Sequence, residues 1–484
     1  MEEIVKLYAE YDILVIPIMV LFFFLLGRAI ALSIESREMR KYFVYGIVFK
    51  MIATIAFGLV IQYYFLGGDT NRYYVALLDL KQAIMDDPKN LVHIFGNIQL
   101  KPDNPVAGYI FSDKLGDNLG YMVKTSNFMV PRSGVLFSFI FGNSYTGLSM
   151  CYSFFAFWGC WKSFTVFSTL YPHIRKGLAI CFLFYPSLVY WGSAITKDSI
   201  CVGALGLFVY SFYQLFFLKR LLILHGISLI LWGGILFFTK PYLLLGLVPA
   251  LSLWFFLHTN KGIKDKGLRF FAFGFLLVIV AASVIYLIQF MLQLEFLELE
   301  RYRPENLAEY ATSSQEVYNQ AGGSVFSIGK LDGSIGSLVT MFPKAVNATL
   351  FRPYLWEAKS PVMMISALES LIIFGLVIFC MVKLGIRKFF GNIFKTPPLL
   401  FMFVYSFFLA GLVAITTNNF GSLVRYKIPI MPFFLTMVII LASQVPGIRY
   451  NKFLAKYIFS RGDKEAKFAH RSLRGRPKPQ LQSR

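Results

Sequence analysis

Charge is scarce in this 484-residue chain: 15% of its residues are Asp, Glu, Lys or Arg, against 57% that are hydrophobic. That scarcity, with a mean hydropathy of +0.61, excludes an ordinary soluble domain, which cannot hide so much apolar surface. Cysteine is sparse as well. Cys151, Cys160, Cys181, Cys201 and Cys380 all fall in apolar stretches, which excludes an ectodomain stapled by disulfides and leaves them as packing residues. The five histidines (His93, His173, His225, His258 and His470) are scattered along the chain, so a zinc site is not expected. Gly329-Lys330 lacks the spacing of a phosphate-binding loop, and no Gly-x-Ser-x-Gly elbow occurs. The beginning of the chain lacks a basic n-region, because Glu2 and Glu3 stand there; the first apolar stretch is therefore expected to stay as an anchor.

Long apolar runs, by contrast, recur eleven times. A helix needs about 20 mostly apolar residues to cross the hydrocarbon core, and such windows lie near 12–33, 43–65, 145–168, 177–195, 200–218, 221–238, 242–257, 270–294, 361–382, 398–416 and 427–444. Every second connection is basic: Arg37, Arg40 and Lys41; Arg175 and Lys176; Lys219 and Arg220; Lys261, Lys264, Lys266 and Arg269; Lys383, Arg387, Lys388 and Lys395. Short cytoplasmic loops accumulate such residues. The sequence predicts an all-α integral membrane protein of about 11 transmembrane helices, with the N-terminus outside, the C-terminus cytoplasmic and two long extracytoplasmic loops at 66–144 and 295–360. Residues 1–42 read as an extra N-terminal anchor with its cytoplasmic turn, 43–444 as the polytopic core, and 445–484 as a basic, disordered cytoplasmic tail carrying Arg471, Arg474, Arg476 and Lys478. The formal charge of +21 reflects this topological bias and a tail suited to membrane lipids; nucleic acid is not an expected partner.

Loops as long as the two outer ones usually have a purpose. The first opens on Gly67-Gly68-Asp69-Thr70-Asn71-Arg72-Tyr73-Tyr74 and continues through a helix-spaced stripe, Leu77, Leu80 and Ile84, opposed by Asp79, Lys81, Asp86 and Asp87. That pattern predicts a helix lying in the membrane interface. A second interfacial or re-entrant helix is expected over 133–141. The second loop is acidic, then glycine-rich around Gly322-Gly323 and 329–336, the composition of a flap. Asp69, at the mouth of the second span, has the chemistry of a general base, with Tyr73 and Tyr74 as rings for a sugar to stack on; capping of the following helix is the alternative. Lys197 and Asp198 have almost no loop around them and so lie at the outer boundary, where charge is costly and marks sites, or else form a local ion pair. Lys240, Arg352 and Arg425 are further outer cations against the topological bias, with Lys427 close by. Together they offer a place for a lipid-linked phosphate or pyrophosphate. Asn347-Ala348-Thr349 is a sequon on the same face.

Three of these segments carry a resemblance: the Asp-bearing first outer loop, Tyr185-Pro186-Ser187 followed by Trp191 and ending in Lys197-Asp198, and the late Arg425-Tyr426 with Pro429 and Pro432. Together they resemble the membrane glycosyltransferases of the GT-C superfamily, over about 43–444. The resemblance implies transfer of a sugar from a polyprenyl-phosphate donor on the outer face, with Asp69 as base and Arg425, with Lys197 or Arg352, on the donor phosphate. Tyr73, Tyr74, Asp198, Lys240 and Tyr426 would complete the substrate site. In most such enzymes the N-terminus is cytoplasmic, the acidic loop follows the first span and two carboxylates lie close together; here the first span is an addition, and Asp69 is followed by Thr70 and Asn71. The expected partners are a lipid-linked sugar donor and membrane lipids. No cofactor is expected, and a divalent metal stays open. A surface-polysaccharide polymerase or ligase, and a flippase or transporter of lipid-linked saccharides, are the alternatives; charges gathered at one face, with no internal repeat, favour an enzyme.

Overall fold

Backbone that leaves water must satisfy its N–H and C=O groups within the chain, and a helix does so segment by segment. The computed structural model describes residues 6–8, 12–110, 118–260, 325–329, 335–417, 419–448 and 451–460, with single positions at 265, 267, 274 and 289. Among these residues all regular structure is helical, and an isolated bridge joins Val325 to Asn419. Seven helices among the described residues are long and apolar enough to cross a membrane: Leu14–Leu32, Arg37–Phe65, Lys197–Phe217, Leu222–Thr239, Tyr242–Thr259, Pro361–Leu384 and Pro397–Thr416. An eighth arises if Phe420–Tyr426 and Met431–Ser443, bent by 67° at the break, form one span. By length and composition this is a multi-pass membrane protein. Its outer helix faces agree, since Leu14, Ile18, Ile223, Ile230, Ile372 and Val382 are all mostly exposed, a surface that lipid tolerates and water does not.

Two expected spans have other forms. The Tyr145–Leu170 helix is continuous for 26 residues but runs through the protein interior, burying Ser149, Ser153, Ser163 and Ser168, and is not among the seven. The stretch at 177–195 breaks: an α-turn over Arg175–Ala179 passes into a π-helix over Ile180–Phe184 and stops at Tyr185, before Pro186 starts a short helix to Trp191. Proline supplies no N–H and disfavours helix at the residue before it. Lys50, buried in the second helix, donates to the carbonyls of Val189 (2.9 Å) and Gly192 (2.7 Å) at the end of that short helix. The stretch at 270–294 lies almost wholly outside the described residues.

Side chains pack into two cores. One runs through the bundle and includes Phe43, Phe164, Phe167, Trp254, Phe401 and Phe433. Within it, the Tyr145–Leu170 and Lys197–Phe212 helices meet backbone to backbone: a Cβ on Gly159 would stand 2.2 Å from the Gly203 oxygen, and one on Gly206 2.1 Å from the Gly159 oxygen. Only glycine permits that approach.

The other core belongs to a cap built from the first long loop. Leu66 in a left-handed conformation (φ 58°) and Gly67 (φ 147°) turn the chain off the second span, and the Asp69–Asp86 helix follows. Leu77, Leu80 and Ile84 pack with Val106, Phe128 and Val130. The expected interfacial helix is thus corrected: its stripe is covered by protein, because the loop supplies its own short helices, Asn90–Gly96, Asn118–Met122, Thr125–Gly134 and Ser138–Phe141, to cover it. Of the second long loop, 295–324 lies outside the described residues, as does most of the expected flap. Its last part is a helix, Ile335–Phe351, locked to Pro397–Thr416 by Thr349, which donates to the Ala410 carbonyl at 2.6 Å. The expected tail begins with order: Lys452–Ile458 is helical, and the Ser460 N–H donates to the His173 carbonyl at 3.1 Å. Residues 461–484 lie outside the description.

Candidate functional site

The C-terminus of Arg37–Phe65, the N-terminus of Lys197–Phe217 and the turn between Leu222–Thr239 and Tyr242–Thr259 are drawn together by side chains. There cap and bundle meet around Arg425.

Arg425 closes the seven-residue helix Phe420–Tyr426, which starts from the Asn419 cap (Asn419 Oδ1 accepts from the Ser422 N–H at 3.1 Å). Its guanidinium spreads between two carboxylates. Nη1 and Nη2 each donate to Asp69 Oδ2 at 3.1 Å, and Nε donates to Asp198 Oδ2 at 3.2 Å. Lys240 donates to the other oxygen of Asp198. The result is an alternating chain of charge, Asp69, Arg425, Asp198, Lys240, drawn from four distant places in the sequence. The planar fork of Arg makes this double engagement possible. Trp191 lies beneath Arg425, ring centroid 5.9 Å from the guanidinium carbon, and Tyr426 sits 4.7 Å from the Lys240 ammonium.

Burial divides the chain. The Asp198 side chain is 1% exposed, while that of Asp69 is 40% exposed. Asp198 lies in the first turn of its helix, which Thr196 caps by accepting from the Ser199 N–H at 3.2 Å; the helix dipole favours an anion there. For Lys240, burial alone pulls the ammonium down, and the Asp198 carboxylate reverses this and holds it well above the usual lysine range.

Asp69 also begins a helix, but the N-cap is Gly68 and no side chain caps it. The Asp69 carboxylate is instead engaged laterally, accepting from Tyr121 Oη at 3.0 Å on Oδ1 and from Arg425 on Oδ2. Tyr73 Oη lies 3.2 Å from Tyr121 Oη and donates to Asn127 Oδ1 at 3.2 Å. Burial, then the neighbouring Asp69 charge, pushes the Tyr121 phenol upward; for Tyr73 the causes are burial, Tyr121 and Asp69. Both phenols therefore remain donors.

The structure thus gathers Asp69, Asp198, Lys240, Arg425 and Tyr426 into one site. Lys197 leans to the cap, donating to Ser126 Oγ at 2.9 Å. Tyr73 and Tyr74 are buried, 1% and 7% exposed, with Tyr74 Oη donating to the Asn143 carbonyl at 2.6 Å; neither offers an open ring face, because the cap core needs both. Arg352 stands apart, paired with Glu357 through Nε (3.0 and 3.1 Å) and Nη2. Lys427 is fully buried, donating to the Arg352 carbonyl (3.2 Å) and Ser370 Oγ (3.1 Å). The four outer cations therefore do not converge on one anion. In the sequon Thr349 is inaccessible, while Asn347 is partly exposed and donates to Tyr354 Oη at 2.7 Å.

Tyr121 is the site residue that sequence reading passed over. Its sole signal is an aromatic beside Asn118 and Asn127. Among the described residues, no group of three or more His, Cys, Asp or Glu is placed to hold a metal. No protein-family model, curated protein or solved structure matches the chain.

Proposed function

We propose that this chain is a membrane glycosyltransferase that moves a sugar from a polyprenyl-phosphate donor to an acceptor on the extracytoplasmic face of the plasma membrane, in the assembly of cell-surface glycan. The proposal includes eleven spans with the N-terminus outside. The observation that carries it is the half-open Asp69 carboxylate, held by Arg425 and Tyr121 at the seam of cap and bundle.

In this reading the acceptor hydroxyl oxygen forms a bond to the anomeric carbon. Its proton passes to Asp69, the bond from that carbon to the donor phosphate oxygen breaks, and the polyprenyl phosphate leaves with the electron pair. Arg425, exposed at 26% of its side chain, has donors enough to hold Asp198 while it turns toward a phosphate. Asp198 and Lys240 fix its position from below. The second carboxylate lacking from the sequence around Asp69 is supplied in space by Asp198, on the far side of the same guanidinium.

The test is chemical. Cells lacking the protein are expected to accumulate one lipid-linked sugar, and the purified protein in proteoliposomes to transfer that sugar to an acceptor. Accumulation without any transfer by the reconstituted protein would favour a carrier of the same lipid. Orientation is tested separately: in a background without the native cysteines, a cysteine at exposed Asp103 reacts with an impermeant maleimide in intact cells, and one at exposed Lys388 does not. The reverse pattern overturns the external site.

A further inference from the structure

Away from Arg425, a cavity of about 530 Å³ opens beside the loop that leads into the Pro361–Leu384 helix. Its floor and rim include Lys344, Asn347, Arg352, Tyr354, Trp356 and Glu357. Trp356 is 82% exposed, yet it is held in place: its ring stacks on Tyr354 with centroids 4.9 Å apart and planes 26° from parallel. Tyr354 is fixed at both ends, its Oη accepting from Asn347 and its backbone N–H donating to Glu357 Oε2 at 2.8 Å. Glu357 is clamped by Arg352, whose guanidinium carbon lies 5.1 Å from each of the Phe326 and Phe420 ring centroids. A large ring is thus displayed open and rigid, with polar groups around it.

We propose that Trp356 and Tyr354 form a saccharide-binding platform, distinct from the Asp69 site, that holds the acceptor glycan. A pyranose presents a C–H face to an aromatic ring and hydroxyls at its edge; Asn347 and the exposed Lys344 stand where those hydroxyls fall. Rigid aromatics give contact area at little entropic cost, and a pocket with few placed polar groups orients its ligand. A tryptophan serving only as a membrane-interface anchor faces headgroups and acyl chains, whereas this ring borders a hollow shared with Lys344, Arg352 and Glu357. The platform is also wired to the other site. Phe420, which holds Arg352, opens the short helix that Arg425 closes, a rise of roughly 8 Å, and Lys427 just beyond it bonds the Arg352 carbonyl. The acceptor role rests on the proposed function; saccharide binding does not.

The experiment is saturation-transfer NMR on the full chain in nanodiscs, with cellotriose, tri-N-acetylchitotriose and trigalacturonate as probes. At least one probe is expected to receive saturation, to bind about tenfold more weakly in Trp356→Ala, a loss equal to about 1.4 kcal/mol, and to recover in Trp356→Tyr. Asp69→Asn is expected to bind it as wild type does. Trp356 is so exposed that folding should be indifferent to its loss, and an unchanged thermal midpoint checks this. No transfer to any probe, or binding insensitive to Trp356→Ala, overturns the proposal. Binding lost in Arg425→Ala but kept in Trp356→Ala overturns it too, by placing the sugar at the Asp69 site. If the platform binds while Asp69→Asn transfers sugar normally, the platform stands and the catalytic reading falls.

Discussion

The bundle and the cap are both helical and each is built on a core of buried apolar side chains, but they treat a carboxylate in opposite ways. The bundle takes Asp198 out of water altogether and compensates it with Lys240 and Arg425; the cap leaves Asp69 near the surface with Arg425 and a phenol. Where burial is complete, a charge is committed to its partners, and where it is partial, a charge can still exchange them. The seam between the two cores therefore combines a fully buried carboxylate with a half-exposed one on the same guanidinium.

The sharpest way to break this contrast is Asp69→Asn. It keeps size and one of the two accepting oxygens but removes the proton acceptor, so sugar transfer in proteoliposomes is expected to fall on the order of 10² to 10⁴-fold, with donor binding and expression near normal. Near-normal turnover would return Asp69 to a supporting role. Asp198→Ala should act on the fold instead. It strands the buried Lys240, and breaking such a pair costs roughly 3 to 5 kcal/mol. Thermal unfolding followed with a thiol-reactive dye, which the mostly buried cysteines suit, should show a large drop, and the double change Asp198→Leu with Lys240→Met should recover much of it. If Asp198→Ala melts like wild type, Asp198 is not committed to Lys240 and Arg425.

How much of this contrast the sequence carried depends on the range of the interactions. Apolar runs and basic turns are local signals, so helices such as Leu222–Thr239 and Pro397–Thr416 lie within a few residues of expectation. Asp69, Asp198, Lys240 and Arg425 were each legible as polar residues at helix mouths. Their pairing was not, because Asp198 and Arg425 are 227 positions apart and helix packing alone decides which mouths adjoin. Tyr73 and Tyr74 misled for a related reason: an aromatic beside a candidate base reads as a sugar platform until the cap that buries it is known. The start of the last span was also displaced, since the proline-containing stretch Lys427–Ile430 holds a bend instead of a helix end.

Two smaller effects refine the cap side. Asp79 lies on the Asp69–Asp86 helix with Oδ2 buried and unpaired among the described residues, and burial pushes its carboxyl up to about 7. A carboxyl raised in the folded state binds its proton there while the unfolded chain has released it, so stability falls as pH rises from about 4 to about 7 and stays reduced above. Asp79→Asn should thus raise stability at pH 8 by on the order of 1 kcal/mol after allowing for its partial exposure, read as a higher thermal midpoint, and leave the midpoint unchanged near pH 4. An equal gain at both pH values would mean that ionisation is not the cause. Tyr121→Phe removes one of the donors holding Asp69 and should lower transfer several-fold, in line with a hydrogen bond to a charged group of about 1.5 to 3 kcal/mol that Arg425 partly replaces. No change in the rate or its pH profile would show that the phenol only packs.

The glycine contact between the Tyr145–Leu170 and Lys197–Phe212 helices acts as a ruler. With no side chain between Gly159 and Gly203 or Gly206, the two backbones have one depth at which they fit, and that depth sets how far below the mouth Asp198 stands. Moving the contact by one turn would shift the carboxylate by about 5.4 Å, beyond the reach of Arg425. The calibration of the charged chain therefore lies at positions that carry no charge, no polarity and no side chain.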